Sequence, residues 1–141
     1  MLKAFIDTNV LLDLLLCREP FDKDAQTIFW LAEEKKIELQ VSAISIINAA
    51  YVAHRNKYDD CDIRAALIGL LDFVTIPNTD KEVVQSALCS DFADFEDATQ
   101  MFCAKQGDAE VIITRNVKDF EKSEMRVMTP SDFLLEHADM L

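Results

Sequence analysis

Acidic side chains in two separate parts of the chain could hold a cation. Asp7 directly follows the apolar run Leu2–Ile6, and Asp94, Glu96 and Asp97 stand together in the segment DFED. Carboxylates at close range repel each other unless a cation lies among them. Mg²⁺ and Mn²⁺ prefer such oxygen ligands, and a bound ion can activate water and take up charge on a phosphate. A structural role is the alternative. Asp7 could cap the helix that follows it, acids favour the first turn of a helix, and the spacing of Asp94 and Asp97 resembles a capping box.

A third polar segment, TRNVKDF at 114–120, follows another apolar run. Asn116 could cap a short turn there or join a site. Asp119 could pair with Arg115 or Lys118, or contribute a further carboxylate. The residues alone leave both roles open.

The segment Ala43–Arg55 carries the remaining candidate. It begins AISIINAAYVA, which is apolar on nearly every side and so predicts a buried helix. Ser42, Ser45 and Asn48 follow one another at three-residue spacing and would form one polar seam on that helix. A buried amide without a partner costs about 1–3 kcal/mol. Asn48 therefore either bonds to a structural neighbour or points into a site formed by the acids.

The elements that must position these groups alternate along the chain. Strands are predicted at Lys3–Ile6, Ile37–Val41, Phe73–Ile76, Val111–Thr114 and Val127–Met128. Helices are predicted at Val10–Leu16 with Asn9 as its cap, Asp22–Lys36, Ala43–Arg55, Ile63–Leu71, 79–90, Phe95–Lys105, and from Pro130 onwards. This alternation predicts a three-layer α/β/α fold with a parallel sheet of four to five strands. Ligands of such folds lie beyond the carboxyl ends of the strands, where Asp7 and residues 115–120 fall.

Composition narrows the function. The 141 residues suit a single domain spanning 1–141. The net charge of −12 argues against a non-specific nucleic-acid coater but suits a basic protein partner, or an enzyme that holds phosphates through cations. The four cysteines lack zinc spacing, and no apolar stretch approaches the roughly 18 residues of a membrane span. A cytoplasmic protein without membrane contact is expected, with Trp30 and the phenylalanines in its core.

Four blocks in this order resemble the PIN domain, the nuclease fold of VapC-like toxins of toxin–antitoxin pairs. They are FIDTNVLLDLL at 5–15, VSAISIINAAYV at 41–52, DFEDATQMFCA at 94–104 and VIITRNVKDF at 111–120. The segment TPSDFL near the end adds to them, and the pattern is most similar to the subgroup with DFEDA followed by TRN-x-x-DF. The resemblance implies a Mg²⁺- or Mn²⁺-dependent ribonuclease, with a basic antitoxin as partner. A homodimer is also implied, because helices such as Leu11–Leu16 often lie at the dimer interface in the family.

The resemblance also assigns roles to residues. The family's site has four acids, and the first and third match Asp7 and Asp97, which would bind the metal. The second is a glutamate, and Asn48 stands at its position. Asn116 stands at the position of the fourth, with Asp119 nearby as a further metal ligand. These two amides would take part in catalysis through water or weak ligation. Supporting residues of the site would be Thr8, Asn9, Ser45, Asp94, Glu96 and Thr114.

The two amides leave the function open between two hypotheses. The first is the metal-dependent ribonuclease, slowed or restricted by the missing charges. The second is a binding module on the same fold, catalytically weakened or inactive because Asn48 replaces an acid. A phosphatase with Asp7 as nucleophile is disfavoured, because that chemistry wants a second acid at position 9, which is Asn9.

Overall fold

Five short parallel strands form the centre of the protein. In the computed structural model, which describes residues 1–141, they are β1 (Lys3–Ile6), β2 (Glu38–Val41), β3 (Val74–Thr75), β4 (Val111–Ile113) and β5 (Arg126–Met128). The order across the sheet is β3-β2-β1-β4-β5. Ile6 pairs with Val41 on one side and with Ile113 on the other, so the carboxyl ends of the three central strands are level.

Seven helices pack on the two faces of this sheet. They are α1 (Thr8–Leu15), α2 (Asp22–Glu33), α3 (Ala43–Arg55), α4 (Asp60–Leu70), α5 (Lys81–Leu88), α6 (Phe95–Gln106) and α7 (Pro130–Glu136), with 3₁₀ turns at Val117–Phe120 and Ala138–Met140. Side chains alternate across a strand: Ala4 and Ile6 join the core under α1, α2 and α3, whereas Phe5 joins the core under α5 and α6. These two cores confirm the three-layer α/β/α prediction. No helix has the length and apolar character that crossing a membrane requires.

The ends of the strands and helices lie within three residues of the predicted ones. Three helices begin one to three residues away from the predicted start, each after a carboxylate cap. Helix α1 begins at Thr8, with Asp7 rather than Asn9 at the N-cap position. Helix α4 begins at Asp60, three residues before the predicted start at Ile63, because Asp59 accepts a hydrogen bond from the backbone N–H of Asp62. Helix α5, predicted from 79, begins at Lys81 after Asp80.

The prediction that α3 is buried on all sides was wrong. Its buried residues Ser45, Ala49 and Ala53 recur every four residues and form one stripe. Ile47 and Tyr51 are 67% and 60% exposed. The expectation that all large aromatic residues lie in the core was also wrong, since Trp30 is 39% exposed, and Phe21, Phe73 and Phe95 are exposed too. An apolar composition does not say how many faces of a helix find a partner.

Candidate active site

Asp7 lies at the carboxyl end of the central strand β1 and is 7% exposed. Its Oδ1 accepts hydrogen bonds from the Thr8 backbone N–H (2.8 Å) and from Gln100 Nε2 (3.2 Å). Its Oδ2 accepts from Thr114 Oγ1 (2.9 Å) and from Asn9 Nδ2 (3.4 Å). Donors from α1, α6 and the end of β4 thus fix the orientation of this carboxylate.

A buried polar network extends from Asp7 to α3. Gln100 is fully buried, and its Oε1 accepts from Ser42 Oγ (2.5 Å) while its Nε2 also donates to Ser45 Oγ (2.7 Å). The hydroxyls of Ser45 and Thr8 lie 2.7 Å apart. Every side-chain polar group of this network has a partner, as burial requires. The first turns of α1 and α3 and the middle of α6 are therefore connected through one amide.

Gln100 was not among the residues predicted to form the site. One signal could have identified it, since it lies one helical turn after Asp97 and so shares a face of α6 with that acid. Its neighbours Met101, Cys103 and Ala104 are buried apolar residues. A long amide among such residues needs a buried partner, and the acids were the nearest candidates.

Acids from three chain segments meet around Asp97. Asp97 is half-buried in the first turn of α6, and Asp94 caps this helix by accepting from the Asp97 backbone N–H (2.9 Å), as the spacing predicted. Burial, followed by nearby negative charges, raises the pKa of Asp97 to about 7. These charges belong to Asp7, Asp94, Asp119 and Glu96. The mutual repulsion shows that the tertiary structure brings the predicted acids into one electrostatic cluster.

Asn48 and Asn116, the two amides predicted to belong to the site, differ in their surroundings. Asn48 is half-buried, and its Nδ2 donates to Glu96 Oε1 (2.8 Å), so the α3 amide meets an α6 carboxylate. Asn116 is exposed, and its backbone N–H donates to Thr114 Oγ1 (3.1 Å). Its side chain forms no capping bond to the turn Val117–Phe120.

An open cleft of ≈ 240 Å³ borders the acid cluster. Its walls include the carboxylates of Asp94, Asp97 and Asp119 and the side chains of Lys118 and Lys122. Carboxylates suit a cation, and ammonium groups beside them suit a phosphate. The cleft therefore presents acidic and basic groups side by side.

The donor atoms have the chemistry of a magnesium site, although they are loosely arranged. No three His, Cys, Asp or Glu side chains converge closely enough to enclose a metal ion. Mg²⁺ commonly binds proteins through one or two carboxylates, keeping several waters and taking oxygens from substrate phosphates. Asp7 and Asp97 fit such a partial set, and Asp119 lies near enough to act on the charge of Asp97.

Asp119 forms an ion pair with neither Arg115 nor Lys118, its two predicted alternatives. Arg115 pairs instead with Asp13 of α1. Asp13 is 1% exposed and accepts from Arg115 Nε (2.6 Å) and Nη2 (3.1 Å), and from Arg18 Nε (2.9 Å). The backbone explains this, because the Arg115 N–H donates to Asn9 Oδ1 (3.2 Å) and so directs the residue towards α1. Arg18 Nη2 also donates to the Asn9 carbonyl (3.2 Å).

Comparison of the sequence with known families gives one match. Residues 3–118 match the family model described as PIN domain. No curated protein matches the sequence significantly.

Similar folds occur among solved structures. One is a toxin–antitoxin complex from Klebsiella pneumoniae, with a TM-score of 0.67 and 24% identity over 90% of this chain and 97% of that chain. A second is VapBC2 from Rickettsia felis bound to a DNA fragment from its promoter, with a TM-score of 0.66 and 14% identity over 91% and 98% of the two chains. A third is VapC20 from Mycobacterium tuberculosis, described as a sarcin–ricin loop cleaving toxin, with a TM-score of 0.64 and 17% identity over 87% and 98%. At these identities the likeness shows the fold.

Proposed function

Because this chain belongs to the PIN domain family, we propose that it is a divalent-metal-dependent ribonuclease and the toxin half of a toxin–antitoxin pair. Within the family we place it in the DFEDA subgroup. The observation that carries the proposal is the carboxylate cluster at the carboxyl edge of the sheet, where burial and then nearby like charges raise the pKa of Asp97 to about 7. Carboxylates are rarely assembled in this way unless a cation neutralises them.

In this proposal, Asp7 and Asp97 bind Mg²⁺ or Mn²⁺, and Asp119 adds a third carboxylate. The bound ion would supply an activated water and positive charge at the phosphate. Asn48 and Asn116 contribute neutral polar groups through water. The remaining supporting residues orient Asp7 and Asp97 or complete the acid cluster: Thr8, Asn9, Ser45, Asp94, Glu96 and Thr114.

Two protein partners are part of the proposal. The acid cluster and the net charge of −12 suit a basic antitoxin segment whose Arg or Lys side chain enters the site. Structures similar to this one include complexes described as toxin–antitoxin pairs. We also propose a homodimer. Leu11 and Leu12 are buried in the chain's own core, whereas the exposed Ile47 and Tyr51 on α3 offer apolar surface for a partner.

One observation favours the alternative of a catalytically weakened binding module. Asn48, at the position of the second acid, donates its N–H to Glu96 and so occupies one oxygen of a neighbouring carboxylate. The site thereby loses one negative charge and has another partly engaged. A weaker metal site would follow, with binding retained and hydrolysis slow.

Cleavage of a mixed RNA pool with Mg²⁺ or Mn²⁺ tests the proposal. The wild type is compared with Asp7→Asn and with the control Asp72→Asn, which changes an exposed acid just before β3, at the opposite edge of the sheet. Metal-dependent cleavage that is lost only in Asp7→Asn supports the ribonuclease. Equal cleavage by all three proteins indicates contamination. No cleavage by any of them, together with no heat of metal binding in calorimetry, favours the binding module.

A further inference from the structure

A second cleft, of ≈ 360 Å³, opens at the same edge of the sheet as the acids. It is lined by Phe21, Asp24, Arg115, Thr129, Pro130 and Ser131. Arg115 comes two residues after the end of β4, and Thr129 directly follows β5. The cleft therefore lies beside the site described above, on the side of the outer strand β5.

An aromatic ring and a guanidinium group together form one wall of this cleft. The guanidinium carbon of Arg115 lies 3.9 Å from the centroid of the Phe21 ring, which is a close cation–π contact. The Phe21 side chain is nevertheless 43% exposed. Two hydrogen bonds from Arg115 to the buried Asp13 hold the guanidinium in place. The pair is thus a preorganised stacking surface that loses little side-chain entropy on binding.

Arg115 and the nearby Arg18 place positive charge beside the cleft in an otherwise acidic protein. Two guanidiniums, of Arg18 and Arg115, share the single carboxylate of Asp13. Each guanidinium keeps further N–H donors beyond those in its bonds to Asp13 and Asn9. Asn9 donates to both Asp7 and Thr114, so the positive group is one side chain away from the candidate metal ligand.

We propose that this cleft binds one nucleotide of single-stranded RNA beside the scissile bond, with the base against Phe21 and Arg115. The inference rests on the proposed ribonuclease function and names how the site would take its substrate. Single-stranded RNA is recognised by stacking of its bases on aromatic side chains and guanidinium planes, and its phosphates suit free guanidinium donors. The hydroxyls of Thr129 and Ser131 and the carboxylate of Asp24 can bond to the edges of the base. The acid cluster would then position the reaction, and the cleft would select the nucleotide.

Binding of labelled RNA tests this in an Asp97→Asn background, in which cleavage should be absent. The probes are a fluorescein-labelled RNA decamer and a series in which a single abasic site is moved along it. Fluorescence polarisation gives the Kd of each probe for the parent and for the same protein carrying Phe21→Ala. Trp30→Ala is the matched control, because Trp30, like Phe21, is an exposed aromatic residue with a cation over its ring: Lys36 Nζ lies 4.8 Å from the Trp30 ring centroid.

We expect an abasic site at one position of the decamer to raise the Kd for the parent about 10-fold, a typical effect for one stacked base. Phe21→Ala should raise the Kd for the intact decamer by a similar factor and should no longer respond to the abasic position. Trp30→Ala should behave like the parent. Phe21→Leu keeps apolar volume without a π face and should show the same loss of RNA affinity. It replaces Phe21→Ala in the test if that variant folds poorly.

Three outcomes would overturn the inference. If Phe21→Ala and Phe21→Leu bind every probe as Trp30→Ala does, the cleft does not stack a base, even if the wild type cleaves RNA. If a glutamate-rich decapeptide binds in a Phe21-dependent manner while RNA binding is unchanged, the cleft belongs to a protein partner. If the wild type neither binds nor cleaves RNA, the proposed function fails together with the inference.

Discussion

Replacing Asp97 with asparagine is expected to abolish metal-dependent cleavage and yet to stabilise the fold at alkaline pH. The pKa of Asp97 is raised from 3.8 to about 7 in the folded protein. The folded state therefore binds a proton more tightly than the unfolded state does. By linkage, the contribution of Asp97 to the free energy of unfolding is largest below about pH 4 and falls as the pH rises towards 7. Above pH 7 this contribution changes little. Asparagine keeps the shape of the side chain but never carries the charge.

The size of the effect follows from the shift. One pKa unit corresponds to about 1.4 kcal/mol, so the full shift would correspond to about 4 kcal/mol without screening. Asp97 is only half-buried, so water and salt ions screen its repulsion from the other acids. We expect Asp97→Asn to raise the free energy of unfolding by about 1–2 kcal/mol at pH 8.5, and by less at pH 5.

Urea unfolding, followed by the fluorescence of the single tryptophan, measures this at both pH values with EDTA present. Asp72→Asn is the control and should show no comparable dependence on pH. Adding Mg²⁺ at pH 8.5 should stabilise the wild type, by about 1.4 kcal/mol at ten times the Kd, and should affect Asp97→Asn less. If Asp97→Asn is no more stable than the wild type at pH 8.5, or if its advantage is equal at both pH values, burial and the neighbouring acids do not raise the pKa of Asp97 to about 7.

Three further variants test other parts of the structure. Gln100→Leu removes a hydrogen-bond donor from Asp7. It should lower the free energy of unfolding by about 1–3 kcal/mol in urea unfolding and weaken Mn²⁺ binding about 10-fold in calorimetry. An unchanged Mn²⁺ affinity would exclude a role of Gln100 in orienting Asp7. Asn48→Glu removes the N–H that donates a hydrogen bond to Glu96 and puts another carboxylate in its place. The protein should then be less stable without metal, but it should bind Mn²⁺ more tightly and cleave RNA faster. No gain in Mn²⁺ affinity would mean that the metal binds elsewhere. Gly107→Ala would bring a Cβ within 2.5 Å of a buried glutamine oxygen, so urea unfolding should show a loss of about 1–3 kcal/mol with cleavage below the transition unchanged; full stability would mean that this glutamine moves aside at little cost.

The places of the acids in the fold, at a strand end and in the first turn of a helix, were predictable because they follow from local sequence patterns. A strand of four residues, three of them apolar, followed by Asp7 puts the carboxylate at a strand end, whatever the rest of the chain does. The three-residue spacing of Asp94 and Asp97 is enough to predict the cap that the structure contains. Parallel pairing then brings the carboxyl ends of neighbouring strands to one edge, which the alternation of strands and helices already implied.

The partners of individual side chains could not be predicted in the same way, because they join residues far apart in sequence. Gln100 reaches Asp7 across 93 positions, and Arg115 reaches Asp13 across 102. These pairings depend on the sheet order, which places β4 beside β1, and on the packing of α6 over them. A different sheet order, or a different packing of α6, would give these side chains other partners although the sequence pattern stayed the same.

The sequence by itself thus determined the layered fold and the edge of the sheet at which the acids lie. Only the tertiary structure decided that one buried glutamine orients Asp7, that Asn48 bonds to Glu96, and that Arg115 stacks on Phe21. Backbone periodicity and capping act over a few residues, so they are recorded in short patterns. Hydrogen bonds, ion pairs and pKa shifts depend on distances of a few ångströms between segments, which are set only when the layers pack.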